Sequence, residues 1–251
     1  MATSRSLLFS RERLISIADG PGVTGIAVLG SVARGEADEW SDVDIESTVV
    51  DPAAKWAARA SFVDRRLVMC HSITAAEQWR QLELPDKAIW AAPSYAAMLV
   101  LVDRDGGLAR LQAACRSFDY GALRPAATAY IRDQAASSCE YVFKVRGALE
   151  TRDEAKALHA AAALTGRCER LAAVALQVPI RTENEYYRVV QRAAGPVWTE
   201  RHRAAFGLDG RDAFAQAAAA CALFRETMRL VDDRLDDDAR AIVGPTLEVA
   251  P

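Results

Sequence analysis

Up to residue 118 the chain reads as short apolar runs separated by polar turns; beyond residue 124 it becomes alanine-rich and helix-forming. Residues 6–18 place Leu7, Leu8, Leu14, Ile15 and Ile17 around Arg11, Glu12 and Arg13. That pattern predicts a short amphipathic helix ended by Gly20-Pro21-Gly22. Residues 23–29 predict a first strand that breaks at Gly30-Ser31, and residues 32–35 the first turn of a helix. A second strand is expected over residues 42–50, stopped by Asp51-Pro52, then a helix over 53–60 and a strand over 65–73. Thr74-Ala75-Ala76-Glu77 is a capping box that opens a helix through Leu82. Residues 84–93, with Trp79 and Trp90 close by, suit the wall of a cleft or plain packing. Residues 96–102 read as another strand, closed by the polar turn 103–107 and followed by a helix over 108–118.

In the second half, Pro125 is placed for the first turn of a long helix through Leu149. Thr151-Arg152-Asp153-Glu154 reads as a capping box for a helix reaching Gln177, ended by Pro179. Thr182 repeats the device before residues 186–194, Pro196 opens a short helix ended by Gly207, and residues 211–235 form the last long helix. The acidic stretch 232–238 reads as its solvated end. Helices joined by short links imply an antiparallel bundle. The expected fold class is α+β: a mixed β-sheet with flanking helices over residues 1–118, then an all-α bundle over residues 119–251.

Composition narrows the function classes. A formal net charge of −3 argues against nucleic acid as the main partner. The five cysteines are scattered, with no Cys-x-x-Cys pair, which argues for buried reduced thiols rather than zinc or disulfides. No run approaches membrane-spanning length and the first nine residues do not make a signal peptide, so a cytoplasmic protein with no membrane partner is expected. A homodimer is left open.

The chemistry concentrates in Gly30-Ser31-Val32-Ala33-Arg34-Gly35 followed by Ser41-Asp42-Val43-Asp44-Ile45. On a strand, Asp42 and Asp44 share one face while Val43 and Ile45 share the other. Two adjacent carboxylates with no Cys at hand favour a hard cation such as magnesium. The amino end of the turn after Gly30 offers free amides to phosphate. Gly-Ser, ten residues, then Asp-x-Asp resembles the signature of the nucleotidyltransferase superfamily that includes DNA polymerase beta. The fuller string looks like its bacterial branch of aminoglycoside and lincosamide adenylyltransferases and minimal nucleotidyltransferases.

That resemblance implies transfer of a nucleoside monophosphate, AMP from ATP, to a hydroxyl of a small molecule such as an aminoglycoside or lincosamide, with Mg2+ and release of pyrophosphate. It implies Asp42 and Asp44 as catalytic metal ligands, and Gly30, Ser31, Arg34 and Ser41 as nucleotide contacts. Arg34 is equally placed to pair with Glu36 or Asp38. Relatives carry a third carboxylate on the strand over residues 65–73, and this chain has none there. Asp64 is the candidate third ligand, Glu46 the other, and His71 reads as structural. For a general base the helical half offers Glu140 and Glu150, each equally at home in solvent; Lys144 is a phosphate contact only by proximity, and Tyr186 and Tyr187 suit stacking or packing. The missing carboxylate supports an alternative: a nucleotide-binding or protein-modifying, antitoxin-like minimal nucleotidyltransferase with weak or no small-molecule activity.

Overall fold

The computed structural model describes residues 9–251. The chain divides into two compact units, one ending at Asp119 and one spanning Tyr120–Pro251.

The first unit is α+β. Helix α1 (Arg11–Ala18) begins later than expected because the Ser10 hydroxyl accepts from the Arg13 amide and fixes the cap there; residues 6–8 of the expected helix lie outside the described residues. Then follow β1 (Val23–Val28), α2 (Gly30–Arg34) and β2 (Val43–Val49). Next come β3 (Arg59–Val63), β4 (Arg66–Thr74), α3 (Ala75–Glu83), α4 (Pro85–Ala97), β5 (Leu99–Asp103) and α5 (Gly107–Arg116).

The sheet order is β3-β4-β2-β1-β5. β1 is antiparallel to β2 and β5, and β3 to β4, while β2 and β4 are parallel with Asp44 beside Met69 and Glu46 beside His71. Val43, Ile45 and Val49 of β2 join Val68 and Cys70 of β4, Ile26 and Val28 of β1, and Leu14 and Ala18 of α1 in one apolar core. Leu14, Ile26 and Ile45, each 1% exposed or less, contribute about 1.5–3 kcal/mol apiece by burial. Ser47 stays on this face, its hydroxyl donating to the Ala18 carbonyl at 2.8 Å.

Two expectations here are corrected. The helix over residues 53–60 is absent: Pro52–Ala54 makes one 3-10 turn capped by Asp51, and β3 follows as an edge strand. Its side chains are exposed except for a partly buried Val63, so no buried alternation marked it as a strand. Residues 85–93 belong to α4, whose stripe of Ala88, Ile89, Ala91, Ala92 and Tyr95 is buried despite Pro93 within it. That helix runs to Ala97 and delays β5 to Leu99.

The second unit contains α6 (Arg124–Thr151), α7 (Glu154–Ala175), α8 (Tyr186–Ala194), α9 (Pro196–Ala205), α10 (Ala213–Val231) and α11 (Asp237–Val249). α7 packs against α6 and α10, α9 against α10, and α11 against α6. Ala157, Ala160, Ala161 and Ala172 on α7 and Ala217 and Ala220 on α10 are buried, and such small residues let helices approach closely. The capping box at Thr151 is not formed. α6 continues through Thr151, Arg152 turns left-handed at φ 54°, and Asp153 caps α7 by accepting from the Lys156 amide. The acidic stretch is also more than a helix end: Asp236 accepts from the Ala239 amide and starts α11, which carries Pro245 inside it. All five cysteines are buried and free. Among the described residues, no helix is long and apolar enough to cross a membrane.

Candidate active site around Gly30 and Asp44

The end of β1 and the start of β2 bring Gly30 against Asp44. Val28 pairs with Ile45, and the Leu29 amide donates to the Asp44 carbonyl at 2.9 Å. The chain must then turn at once into α2, and Gly30 does so at φ 67°. A Cβ there would lie 2.7 Å from Asp44 Oδ2. Glycine is therefore required twice, for its left-handed backbone and for the space the carboxylate takes. α2 closes after one turn at Gly35, φ 70°, and no side chain caps its amino end. Ser31 stands in that first turn, partly buried.

Val43 is fully buried between two partly buried aspartates, Asp42 just before β2 and Asp44 within it. Glu46, next on the face of Asp44, is 4% exposed and has partners on both oxygens. Gln78 of α3 donates to Oε1 at 2.7 Å, the Tyr95 hydroxyl of α4 to Oε2 at 3.3 Å, and His71 Nε2 lies 3.0 Å from Oε2. The Glu46 hydrogen bond raises the His71 pKa above its ordinary 6.5, against desolvation and with help from the Glu46 and Asp44 charges. Burial, then the Glu46 charge, pushes the Tyr95 phenol well above its usual range. This carboxylate ties α3 and α4 to the sheet.

The remaining expected residues are occupied locally. The Ser41 hydroxyl donates to Asp38 Oδ1 at 2.8 Å and accepts from the Asp38 amide, closing a turn that exposes Trp40. Arg66 of β4 donates to the carbonyls of Asp38 and Ser41 and fixes the turn to the sheet. Ser41 in turn holds the Asp38 carboxyl below its usual range. Arg34 Nε lies 2.6 Å from Glu36 Oε2, its own side chain only 7% exposed. Asp64 sits in the β3–β4 turn at φ 47°, ion-paired with Arg13 at 2.8 Å. The structure sets Gly30 against Asp44, with Ser31 next to Gly30 in the chain and Asp42 two residues before Asp44, and pairs Asp64 with Arg13.

Sequence reasoning passed over Gln78, Tyr95 and Arg66. A polar residue 2% exposed, as Gln78 is, looks like any surface glutamine until its partner is known. In the helical unit, Glu140 pairs with Lys144 at 2.6 Å and Glu150 with Arg146 at 2.9 Å, both on exposed helix surface. Tyr186 and Tyr187 pack ring to ring at 5.6 Å.

Among the described residues no group of three or more His, Cys, Asp or Glu is arranged to hold a metal. The donor chemistry nonetheless fits magnesium, which is commonly held by one or two carboxylates plus substrate phosphates rather than by an all-protein cage. Asp44, against Gly30, and Asp42, two residues before it, are the carboxylates that would make such a pair.

No curated protein matches the chain. A solved structure, a nucleotidyltransferase-like protein from Exiguobacterium sibiricum 255-15, superposes with a TM-score of 0.53 at 15% identity, covering 95% of this chain and 78% of that one. At that identity the likeness is one of fold. Residues 11–65, which run from α1 through β2 to the turn at Asp64, match the family model of the nucleotidyltransferase domain.

Proposed function

We propose that the first unit transfers AMP from ATP to a hydroxyl of a small polyhydroxylated acceptor, of which aminoglycosides and lincosamides are the first to test. The observation that carries this reading is the contact of Gly30 with Asp44: a glycine at left-handed φ whose missing Cβ leaves room for a carboxylate two positions from a second one. The match over residues 11–65 supports nucleotidyl transfer in general.

In this reading Asp42 and Asp44 hold magnesium, which when bound neutralises phosphate charge and acidifies the acceptor hydroxyl. The uncapped first turn of α2 and the Ser31 hydroxyl donate to the terminal phosphates. The acceptor oxygen forms its bond to the α-phosphorus as the bond to pyrophosphate breaks. Arg34 holds the turn through Glu36, and Ser41 holds the approach to Asp42 through Asp38.

One observation favours a second reading. Asp64 is engaged by Arg13, and Glu46 by Gln78, His71 and Tyr95, so both candidate third ligands already have partners. A protein that binds nucleotide without turning it over, or that modifies a protein partner, accounts for this. Pyrophosphate release from each nucleoside triphosphate, with magnesium and a panel of aminoglycosides and lincosamides, separates the two. Acceptor-dependent release supports transfer to a small molecule. Tight nucleotide binding with no release under any acceptor supports the second reading.

A further inference from the structure

The helical unit carries a groove that plays no part in the proposed transfer. It lies where α8 meets α9, holds about 850 Å³, and is lined in part by Arg188, Arg192 and Arg203. That volume falls within the roughly 300–1,000 Å³ of small-molecule sites. Arg188 and Arg192 are one helical turn apart on α8, and Arg203 faces them from α9. Among the described residues no carboxylate pairs with any of the three; the Arg192 Nε donates only to the Arg188 carbonyl. The one acidic lining residue, Glu200, has its side chain 75% exposed, with Arg201 4.0 Å away. Three guanidiniums against one carboxylate make a local positive field on a chain whose net charge is −3.

The wall between these arginines is fixed from within. Gly195 turns the corner at φ 91°, and the Thr199 hydroxyl reaches the carbonyls of Gly195 at 2.8 Å and Gln191 at 3.0 Å. Gln191, which lines the groove, is held through its side-chain amide 2.8 Å from His202 Nδ1. His202 Nε2 lies 2.6 Å from Glu169 of α7, and both side chains are almost fully buried. Trp198 stacks on the His202 ring at 4.9 Å. A buried polar pair is an expensive way to hold two helices, since apolar residues of similar volume pack at least as well. What this one adds is a fixed Gln191 amide at the groove, the kind of support that a preorganised binding site needs.

We propose that this groove is a binding site for a small organic phosphate. The three guanidiniums take the phosphoryl oxygens through forked, charge-assisted hydrogen bonds, the Gln191 carboxamide faces the ligand, and the Pro196 edge lies against its non-ionic part. A long phosphate backbone fits less well, because the positive field is confined to one helix corner of an acidic chain.

The test is calorimetric titration of the full chain in EDTA at low salt with three probes: inorganic tripolyphosphate, ATP and glucose 6-phosphate. The chelator removes the divalent ion that the nucleotide site of the first unit requires, so the two sites are read separately. Saturable binding of ATP or glucose 6-phosphate is expected, weakened about tenfold for each arginine replaced in Arg192→Gln and Arg203→Gln, with unchanged circular dichroism and no change in Ser31→Ala. ATP or the sugar phosphate binding more tightly than tripolyphosphate supports a ligand with an organic body, and saturable binding of tripolyphosphate alone overturns it. The proposal is overturned if no probe saturates, if the arginine variants bind like wild type, if Ser31→Ala rather than the arginine variants loses binding, or if a single-stranded oligonucleotide binds more tightly than all three probes.

Discussion

Gly30→Ala forces a side chain into a φ of 67° and places its Cβ 2.7 Å from Asp44 Oδ2. The backbone strain alone is worth about 1–2 kcal/mol, and the displaced carboxylate adds to it. Urea denaturation is expected to show that loss in full, whereas Ser31→Ala, which neither strains the backbone nor fills the space, stays close to wild type. Stability equal to wild type in Gly30→Ala contradicts the geometry of the turn. The turn at Gly30 and the strand that carries Asp44 were legible in the sequence because a glycine turn and strand alternation are local properties. The fates of the other candidates were not. Asp64 meets Arg13 across 51 positions, and Glu46 meets Gln78 and Tyr95 across 32 and 49. A charged residue announces that it needs a partner without saying which, so Asp64 read as a metal ligand when Arg13 had already taken it.

At the scale of elements, α3 shows a local signal fully realised. Thr74 accepts from the Glu77 amide while Glu77 reaches back to the Thr74 amide at 2.9 Å, and Lys55 lies 2.7 Å from the same carboxylate. The Lys55 hydrogen bond, then those from Thr74, hold the Glu77 carboxyl down to about 2 from an ordinary 4.5. A carboxyl depressed in the folded state stabilises above its unfolded value and loses that contribution as pH falls through the folded one. The stability gap between wild type and Glu77→Gln is therefore expected to be full above pH 4.5 and to close as pH falls towards 2. Thermal melts across that interval check it, and a gap that is constant with pH contradicts the cap. The same four-residue signature at Thr151 failed because α6 runs two residues past Leu149; the Thr151 hydroxyl donates to the Gly147 carbonyl inside the helix. β3 was missed because an exposed edge strand has no buried face to print on its sequence, and α11 because the acidic stretch that caps it read as the solvated end of the helix before it.

For the whole molecule, composition and the shift from apolar runs to alanine-rich helices foretold an α+β chain with an all-helical second half, which the structure shows. The five thiols follow the same logic of burial. All are buried, and desolvation pushes Cys115 up to about 11 and Cys168 and Cys221 up to about 12. Ellman's reagent is expected to find no fast-reacting thiol in the native protein and all five after denaturation; a fast native thiol contradicts the packing around it. The arginine groove had no comparable signature, since Arg203 joins Arg188 and Arg192 only once Gly195 folds α9 back on α8.

The central claim is that Asp42 and Asp44 serve chemistry rather than the fold. It is tested most directly by Asp44→Asn, with acceptor-dependent pyrophosphate release and thermal unfolding measured on one preparation. Loss of several kcal/mol of charge stabilisation predicts a fall in turnover of more than about a hundredfold, in a protein that still unfolds cooperatively near the wild-type temperature. Turnover that survives in Asp44→Asn while the melting temperature drops would contradict the account.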